Sequence, residues 1–144
     1  MMKCRVVIVA TVLGLLAAGA SPAAAGKVVA KIDLSSQTMT VMEDGKTKYK
    51  WKVSTARSDK VTPTGTWTAK QFKRFHWSTR YGYAPMPYSI FYSGNFAIHG
   101  TNQTANLGSP ASAGCIRLSR SNAAKLFRMA KQAGLKNTVV IVEH

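Results

Sequence analysis

Carboxylates and cysteines are scarce in this sequence. Its 144 residues include five Asp and Glu against 20 Lys and Arg, and only two cysteines. Two cysteines exclude a disulfide-rich scaffold. Together with three histidines and five scattered carboxylates, they form no recognisable ligand spacing for a metal ion. A glycine-rich phosphate loop is also missing. The sequence therefore predicts neither a metal site nor a cofactor.

The longest apolar run lies at the amino terminus. Lys3 and Arg5 precede an apolar stretch over residues 6–18, and the small residues Ala23–Ala25 follow it. This order is typical of a cleaved export signal. The run is shorter than the roughly 20 residues that span a bilayer. We therefore predict a signal peptide over residues 1–25 and a single mature domain over residues 26–144. That domain has no membrane span and resides in the periplasm or cell envelope.

The predicted mature domain is strongly basic. Loss of Lys3 and Arg5 leaves 18 basic and five acidic residues, a formal net charge of +13. Such a field attracts polyanions. The basic residues are scattered and form no block of like charge, so a merely solvated basic surface is an equal alternative. For an exported protein we expect anionic cell-surface polymers and peptide carboxylates as partners, and no nucleic acid.

Alternating apolar and polar residues predict a mainly β domain. Short strands are expected over residues 28–34, 38–42, 48–54, 66–69, 96–99 and 138–142. From Gln71 to Tyr92 the alternation gives way to an aromatic, basic segment with two prolines, which we interpret as a long functional loop. One short helix is predicted from Ser119 or Ser121 to Gly134. These elements suggest a β-sandwich or a partly closed barrel.

Cys115 is the only cysteine expected in the mature domain, because Cys4 would leave with the signal peptide. A lone buried cysteine is by itself most often a small core residue. Its surroundings indicate a nucleophile instead, which needs a base and donors for an oxyanion. His99, at the end of a predicted strand, is the candidate base. Gly114 and Ser112 are expected to shape the turn, and the N–H groups of Gly114 and Cys115 are the expected oxyanion donors.

Three further residues are candidate substrate contacts. Arg117 would favour the thiolate and hold a substrate carboxylate. Gly100 and Tyr92 are the other two. A hydroxyl from Tyr81, Tyr83, Tyr88 or Tyr92 could also assist the oxyanion donors. His76 and His144 are weaker candidates for the base. Because no carboxylate is near in sequence, we expect a backbone carbonyl around Gly100 to orient the imidazole, with Asp59 as the alternative if the fold brings it close.

A series of short motifs follows a fixed order along residues 26–144. They are Asp33, Gln37 and Val41 in the early strands, Val53-Ser54-Thr55, Thr62-Pro63-Thr64-Gly65, Met86-Pro87-Tyr88, Ile98-His99-Gly100-Thr101, Leu107-Gly108-Ser109-Pro110 and Ser112-Ala113-Gly114-Cys115-Ile116-Arg117-Leu118. Each motif is weak alone, but their order and spacing are specific together. In these motifs the chain resembles the L,D-transpeptidase catalytic domain of the YkuD type.

The resemblance implies a β-sandwich-like enzyme that acts on peptidoglycan stem peptides. Cys115 matches the family nucleophile and His99 the family base. The thiol would attack the carbonyl between the third stem residue and D-Ala and pass the acyl group to an amine, which makes a 3-3 cross-link. Carbapenems would acylate the same thiol. Ala113 departs from the commonest pattern, in which a second histidine precedes Gly-Cys.

Three hypotheses for function remain open at this point. The first is a transpeptidase that makes 3-3 cross-links. The second has the same chemistry but another acceptor, either an outer-membrane protein attached to peptidoglycan or water, which would trim the stem peptide. The third is a non-catalytic cationic protein that binds the cell wall, and the missing histidine at Ala113 favours it.

Overall fold

The structure is a computed structural model and describes residues 26–144. The predicted signal peptide lies outside these residues. Within residues 26–144, no helix combines the length and the apolar character that a membrane crossing requires.

Strands dominate the described part of the chain. They are β1 (Val28–Asp33), β2 (Thr38–Glu43), β3 (Lys46–Lys52), β4 (Gly65–Thr68), β5 (Gln71–Lys73), β6 (Trp77–Ser78), β7 (Ala84–Pro85), β8 (Ser89–Ser93), β9 (Phe96–Thr101), β10 (Ile116–Ser119) and β11 (Thr138–Glu143). The α-helix α1 (Arg120–Ala133) follows β10, and short 3-10 turns occur at Thr104–Asn106 and Leu135–Asn137.

A five-stranded sheet forms one layer, in the order β3-β2-β1-β11-β4. β1 and β11 pair in parallel, and the other pairs are antiparallel. In β1, Val28, Ala30 and Ile32 are buried while the residues between them are half-buried. This period of two directs one face of the sheet into the core.

A four-stranded sheet forms the second layer, in the order β10-β9-β8-β5. β9 and β10 pair in parallel, with Ile116 opposite Ile98 and Arg117 opposite His99. Ile98, Ile116 and Leu118 face the core and pack with Leu126 of α1. The inner faces of the two sheets and the apolar face of α1 thus share one hydrophobic core.

Helix α1 begins and ends where the sequence predicts. The Ser119 hydroxyl accepts a hydrogen bond from the Asn122 N–H at 3.2 Å, which caps the first turn. Gly134 follows the last turn with a φ of +88°, a conformation that glycine adopts without strain. The helix starts immediately after β10 and packs against β9 and β10.

The aromatic segment is more ordered than its sequence suggests. The expectation of a long loop over residues 71–92 is wrong: the segment contains β5, most of β8 and a separate hairpin of β6 and β7. These strands are two to five residues long and prolines interrupt them, so no periodicity can develop in the sequence. The Pro87 carbonyl accepts a hydrogen bond from the Gly100 N–H at 2.8 Å, which ties the hairpin's end to β9.

The mainly β fold with one helix after Cys115 is confirmed, and so are the six predicted strands to within about two residues at most ends. β10 was missed as a strand, because only its pairing with β9 makes four residues extended. Between residues 26 and 144 the strands form open sheets and not a closed barrel.

Candidate active site

The parallel pairing of β9 and β10 brings Cys115 and His99 onto one face. Arg117 is opposite His99, and the next pair towards the amino terminus is Ile116 with Ile98. Cys115, just before β10, therefore lies beside Ala97, two residues from His99 on the neighbouring strand. Residues two apart in a strand share a face. The two side chains are diagonal neighbours on the side of the sheet turned away from the core.

A backbone carbonyl holds the His99 ring, as the scarcity of carboxylates led us to expect. Nδ1 lies 2.8 Å from the Gly100 carbonyl oxygen, and only 6% of the residue is exposed. Because a carbonyl only accepts, Nδ1 must carry the proton, and Nε2 of the neutral ring keeps its lone pair. Burial lowers the pKa of His99 to about 4, with Arg117 acting in the same direction and the Gly100 contact opposing it. The ring is thus neutral at neutral pH.

The Cys115 thiol is half-buried and protonated at rest. Its Sγ lies 3.8 Å from the Asn95 carbonyl oxygen, to which it donates. Burial raises the pKa of the Cys115 thiol, while the Ala97 backbone N–H and the Arg117 charge act to lower it. A neutral thiol beside a neutral imidazole favours proton transfer during attack over a preformed ion pair.

A serine hydroxyl closes the turn that carries Cys115. Ser112 Oγ donates to the Cys115 carbonyl at 2.6 Å and accepts from the Gly114 N–H at 3.0 Å. Ser112 is fully buried, so these bonds are shielded from water. The Gly114 N–H is therefore occupied within the turn. The expectation that it serves as an oxyanion donor does not fit this geometry, although the predicted bracing by Ser112 does.

Thr62 connects this turn to the preceding part of the chain. Its hydroxyl donates to the Gly114 carbonyl at 2.8 Å and accepts from the Ala56 N–H at 3.0 Å. Thr62 is buried and is separated from Gly114 by 52 residues. The Thr-Pro-Thr-Gly motif is thus far from Cys115 in sequence but fixes the backbone beside the thiol by a direct hydrogen bond.

Two further early motifs contact the segments that flank Cys115. Gln37 Nε2 donates to Thr55 Oγ1 at 2.7 Å, and Gln37 Oε1 accepts from the Thr55 N–H at 3.0 Å. Ser54 forms backbone hydrogen bonds with Arg117 in both directions, at 2.9 and 3.1 Å, and its hydroxyl donates to the Ser109 carbonyl. Gln37, Ser54, Thr55 and Thr62, all buried, therefore support the segments that flank Cys115 through hydrogen bonds.

A cleft of about 670 Å³ runs over Cys115 and His99. The β6–β7 hairpin forms an apolar wall with Trp77, Tyr81 and Pro85, and β9 and the Cys115 turn form the floor. His76 also lines the cleft, with its ring edge against Phe91 at 5.2 Å between centroids. The volume suits a peptide segment or another small ligand.

The predicted substrate contacts have different outcomes. Arg117 and Gly100 line the cleft. Tyr92 does not, because it is fully buried and packs on Trp67 in the core at 5.2 Å. Phe91 faces the cleft, so the alternation of β8 turns its neighbour to the opposite side. The assignment of Tyr92 to the substrate site is therefore corrected. Its hydroxyl is buried without a hydrogen-bond partner among residues 26–144.

Sequence reasoning missed several residues of the site. They are Arg57, Arg80, Asn95, Gln103 and Arg120 on the cleft wall, and Gln37 and Thr62 in the supporting network. Gln37 and Thr62 could have been found, because they belong to the motifs that carry the resemblance. No sequence pattern marks the arginines, since they are far apart in sequence and only the fold brings them to one cleft. Over the described residues, no group of three or more His, Cys, Asp or Glu side chains is placed to hold a metal ion.

Replacing Gly114 with Ala is expected to destabilise the fold and reduce activity. Gly114 has a φ of +134°, and a Cβ there would lie 2.7 Å from Phe96 Cε1 and 2.9 Å from the Val61 carbonyl oxygen. We expect a loss of about 1–3 kcal/mol from backbone strain alone, and more from the clash, measured by thermal unfolding. Gly45→Ala is the matched control, because Gly45 also has positive φ but no atom within 4 Å of a Cβ. Equal effects of the two substitutions would contradict this packing argument.

Comparison with protein families identifies the family of the chain. The family model for the L,D-transpeptidase catalytic domain (YkuD) matches residues 27–142, which is most of the chain. The chain therefore belongs to the L,D-transpeptidase catalytic domain family. No curated protein matches it over its sequence.

Solved structures share the fold at low sequence identity. An L,D-transpeptidase from Mycobacterium smegmatis has a TM-score of 0.74 at 24% identity, covering 83% of this chain and 59% of that one. One from Mycobacterium tuberculosis H37Rv has a TM-score of 0.73 at 25% identity, covering 83% and 58%. One from Stackebrandtia nassauensis has a TM-score of 0.70 at 26% identity, covering 82% and 56%. The chain thus spans less than two thirds of the length of these proteins.

Proposed function

We propose that this protein is a peptidoglycan L,D-transpeptidase that acts through an acyl-enzyme on Cys115. The observation that carries the proposal is the placement of Cys115 and His99 on one face of β9 and β10, inside a cleft. The Gly100 carbonyl fixes the His99 tautomer that can accept a proton. Family membership supplies the substrate class, the stem peptide of peptidoglycan.

The first half-reaction would form the acyl-enzyme. His99 Nε2 takes the thiol proton as Sγ attacks the carbonyl carbon between the third stem residue and D-Ala. The resulting imidazolium is stabilised by the Gly100 carbonyl at Nδ1. The tetrahedral intermediate then collapses with cleavage of the C–N bond, and the imidazolium returns its proton to the leaving amine of D-Ala. The thioester and a neutral His99 remain.

The second half-reaction would transfer the acyl group to an amine. Neutral His99 accepts a proton from the amine of another stem's third residue as its nitrogen attacks the thioester carbonyl. The C–S bond breaks, the sulfur regains a proton from His99, and a 3-3 amide cross-link is released. The same steps with water in place of the amine yield a tripeptide, and with an amine of an outer-membrane protein they attach that protein to the wall.

We further propose that residues 1–25 direct export and that the domain acts in the periplasm or cell envelope. The order of charged, apolar and small residues at the amino terminus supports this. The remaining net charge of +13 gives the domain an electrostatic attraction to anionic wall polymers.

Incubation with a disaccharide-tetrapeptide muropeptide tests the proposal. We expect mass spectrometry to detect 3-3 dimers and released D-Ala within the time in which a protein-free control shows none. If tripeptide is the only product, the reaction is trimming and not cross-linking. Adding a candidate outer-membrane acceptor would then show whether the natural acceptor is water or a protein. Failure to form any product, with wall binding retained, would overturn the enzymatic proposal and support the non-catalytic wall-binding protein.

A further inference from the structure

Exposed aromatic side chains concentrate on the β6–β7 hairpin and its base. Seven large apolar side chains are exposed among residues 26–144, and four of them lie within residues 75–83: Phe75, Trp77, Tyr81 and Tyr83. Trp77 and Tyr81 line the cleft, but Phe75 and Tyr83 do not, and these two are 60% and 68% exposed. The cleft therefore does not account for them. A cluster of exposed apolar side chains marks an interaction surface.

The backbone of the hairpin holds these rings away from the core. The pairing of β6 with β7 continues at the base, where the Arg74 carbonyl accepts a hydrogen bond from the Tyr88 N–H at 2.7 Å. At the tip, Gly82 and Tyr83 have φ of +63° and +57°. Glycine adopts this left-handed conformation freely, whereas a tyrosine is strained in it. The geometry of the turn therefore does not explain why an exposed ring is present at Tyr83.

The same part of the chain has no negative charge. Residues 60–142 contain eleven Lys and Arg and no Asp or Glu. This range includes the hairpin, the whole four-stranded sheet and α1. The three ion pairs found among residues 26–144 use carboxylates outside it, at Glu43, Asp59 and Glu143, and basic residues that precede it. The positive charges of residues 60–142 thus attract an anionic partner.

Aromatic rings and basic side chains connect the hairpin to α1. The Arg74 guanidinium lies 5.8 Å from the centre of the Phe75 ring, and Phe75 lies 6.4 Å from Tyr88. Tyr88 packs on Phe127 of α1 at 5.7 Å. Lys131, one turn beyond Phe127 on the same side of the helix, is exposed. The surface that carries the exposed rings therefore also carries positive charge from two elements of the fold.

We infer that the hairpin surface, defined as Phe75, Trp77, Tyr81 and Tyr83 with Arg74 and Arg80, binds the domain to an anionic lipid bilayer. A bilayer presents negative headgroups above an apolar interior, and Trp and Tyr rings prefer the boundary between the two. Arginines beside the rings bind the headgroup phosphates. A soluble polyanion without rings or acyl chains would leave the exposed aromatic side chains in water.

The binding is peripheral and reversible, because a single hairpin reaches only the headgroup layer and the adjacent acyl chains. The inference does not rest on the proposed chemistry of Cys115. It concerns the position of the domain, since Trp77 and Tyr81 belong both to the hairpin surface and to the cleft wall. Bilayer binding would therefore hold the opening of the cleft at the membrane surface.

Sedimentation with large vesicles tests the inference on residues 26–144, which share one core and lack the apolar residues 6–18. Vesicles of phosphatidylcholine with about one third phosphatidylglycerol should bind about tenfold or more tightly than phosphatidylcholine alone at low salt. Binding should shift tryptophan emission to the blue, since Trp77 is 59% exposed in the free protein. Trp77→Phe should remove this shift and keep most of the binding.

Substitutions outside the cleft separate the rings from the charge. Phe75→Ala combined with Tyr83→Ala should weaken binding to the anionic vesicles about tenfold or more, and Arg74→Gln about fivefold. Tyr49→Ala is the matched control, because Tyr49 is an exposed aromatic residue with a cation, Lys125, at 5.7 Å, but belongs to β3. It should leave vesicle binding unchanged. Thermal unfolding checks that each variant is folded.

Three results would overturn the inference. The first is absence of binding to the anionic vesicles, or an equal loss with Tyr49→Ala and with the Phe75 and Tyr83 substitutions. The second is binding without a blue shift that high salt abolishes, which would show that the headgroup charge alone is bound. The third is tighter binding to a single-stranded DNA oligonucleotide than to the vesicles, which would assign the hairpin surface to nucleic acid.

Discussion

Substitution of Cys115 by Ala is expected to reduce product formation from muropeptides by about four orders of magnitude or more, which is the scale of losing a covalent nucleophile. The structure offers no second thiol between residues 26 and 144 that could replace it. The same substitution should also abolish the mass adduct that a carbapenem forms with the unmodified protein. Initial rates by chromatography and intact-protein mass spectrometry measure the two effects.

The substitution should leave the fold intact, which separates chemistry from stability. Cys115 is half-buried, and the thiol donates only a long hydrogen bond, to the Asn95 carbonyl at 3.8 Å. We therefore expect thermal unfolding to change by only a few degrees, and binding to isolated cell wall to be unchanged. Product formation by the Cys115→Ala protein at more than a trace of the original rate would refute the nucleophile assignment.

Substitution of His99 by Gln is expected to lower kcat/KM by about 10²- to 10⁴-fold, the usual range for loss of a general base. A glutamine side chain retains hydrogen-bonding capacity but cannot accept the thiol proton. The Cys115 thiol, whose pKa burial raises, would then have no local base. Rates with one muropeptide donor at saturating acceptor measure the effect.

His76→Gln is the control for this result, because His76 lines the same cleft as a second imidazole. Its hydrogen bond is a backbone one, in which its carbonyl accepts from the Met86 N–H at 2.8 Å, and its ring packs edge-on against Phe91. We expect its loss to change kcat/KM by less than about tenfold, below the range for loss of a general base. A larger effect at His76 than at His99 would reverse the assignment of the base.

The pH profile of kcat/KM gives an independent check on His99. Burial lowers the pKa of this imidazole to about 4, so the neutral form that accepts a proton prevails above that pH. Activity should therefore persist at about pH 5 and decline only as the pH falls through about 4, well below the ordinary histidine value near 6.5. An acidic limb centred near the ordinary value would show that His99 is not the buried neutral base described here.

The sequence predicts two kinds of feature, local secondary structure and the residues of the proposed chemistry. Periodicity of two located six strands, and the capping serine and terminal glycine located α1, because these signals arise between near neighbours in the chain. The chemistry of Cys115 and His99 followed from residue type and motif. The orienting carbonyl of Gly100 followed from the scarcity of carboxylates, since few other groups near His99 can accept its Nδ1 proton.

Other features depended on contacts between distant segments. The sequence could not show that the Ser112 hydroxyl accepts a hydrogen bond from the Gly114 N–H, since this depends on how the turn closes. Nor could it place Tyr92 in the core, because the face of β8 that is buried is decided by the sheet it packs against.

The sequence by itself determined the mainly β class, the single helix, the basic charge and the two residues of the proposed chemistry. The tertiary structure alone decided which side chains share the cleft. Arg80 and Arg120 are 40 residues apart and carry no motif, yet the hairpin and the start of α1 place both on its walls. Local patterns record the interactions of near neighbours, whereas a binding surface is formed by segments that only chain folding brings together.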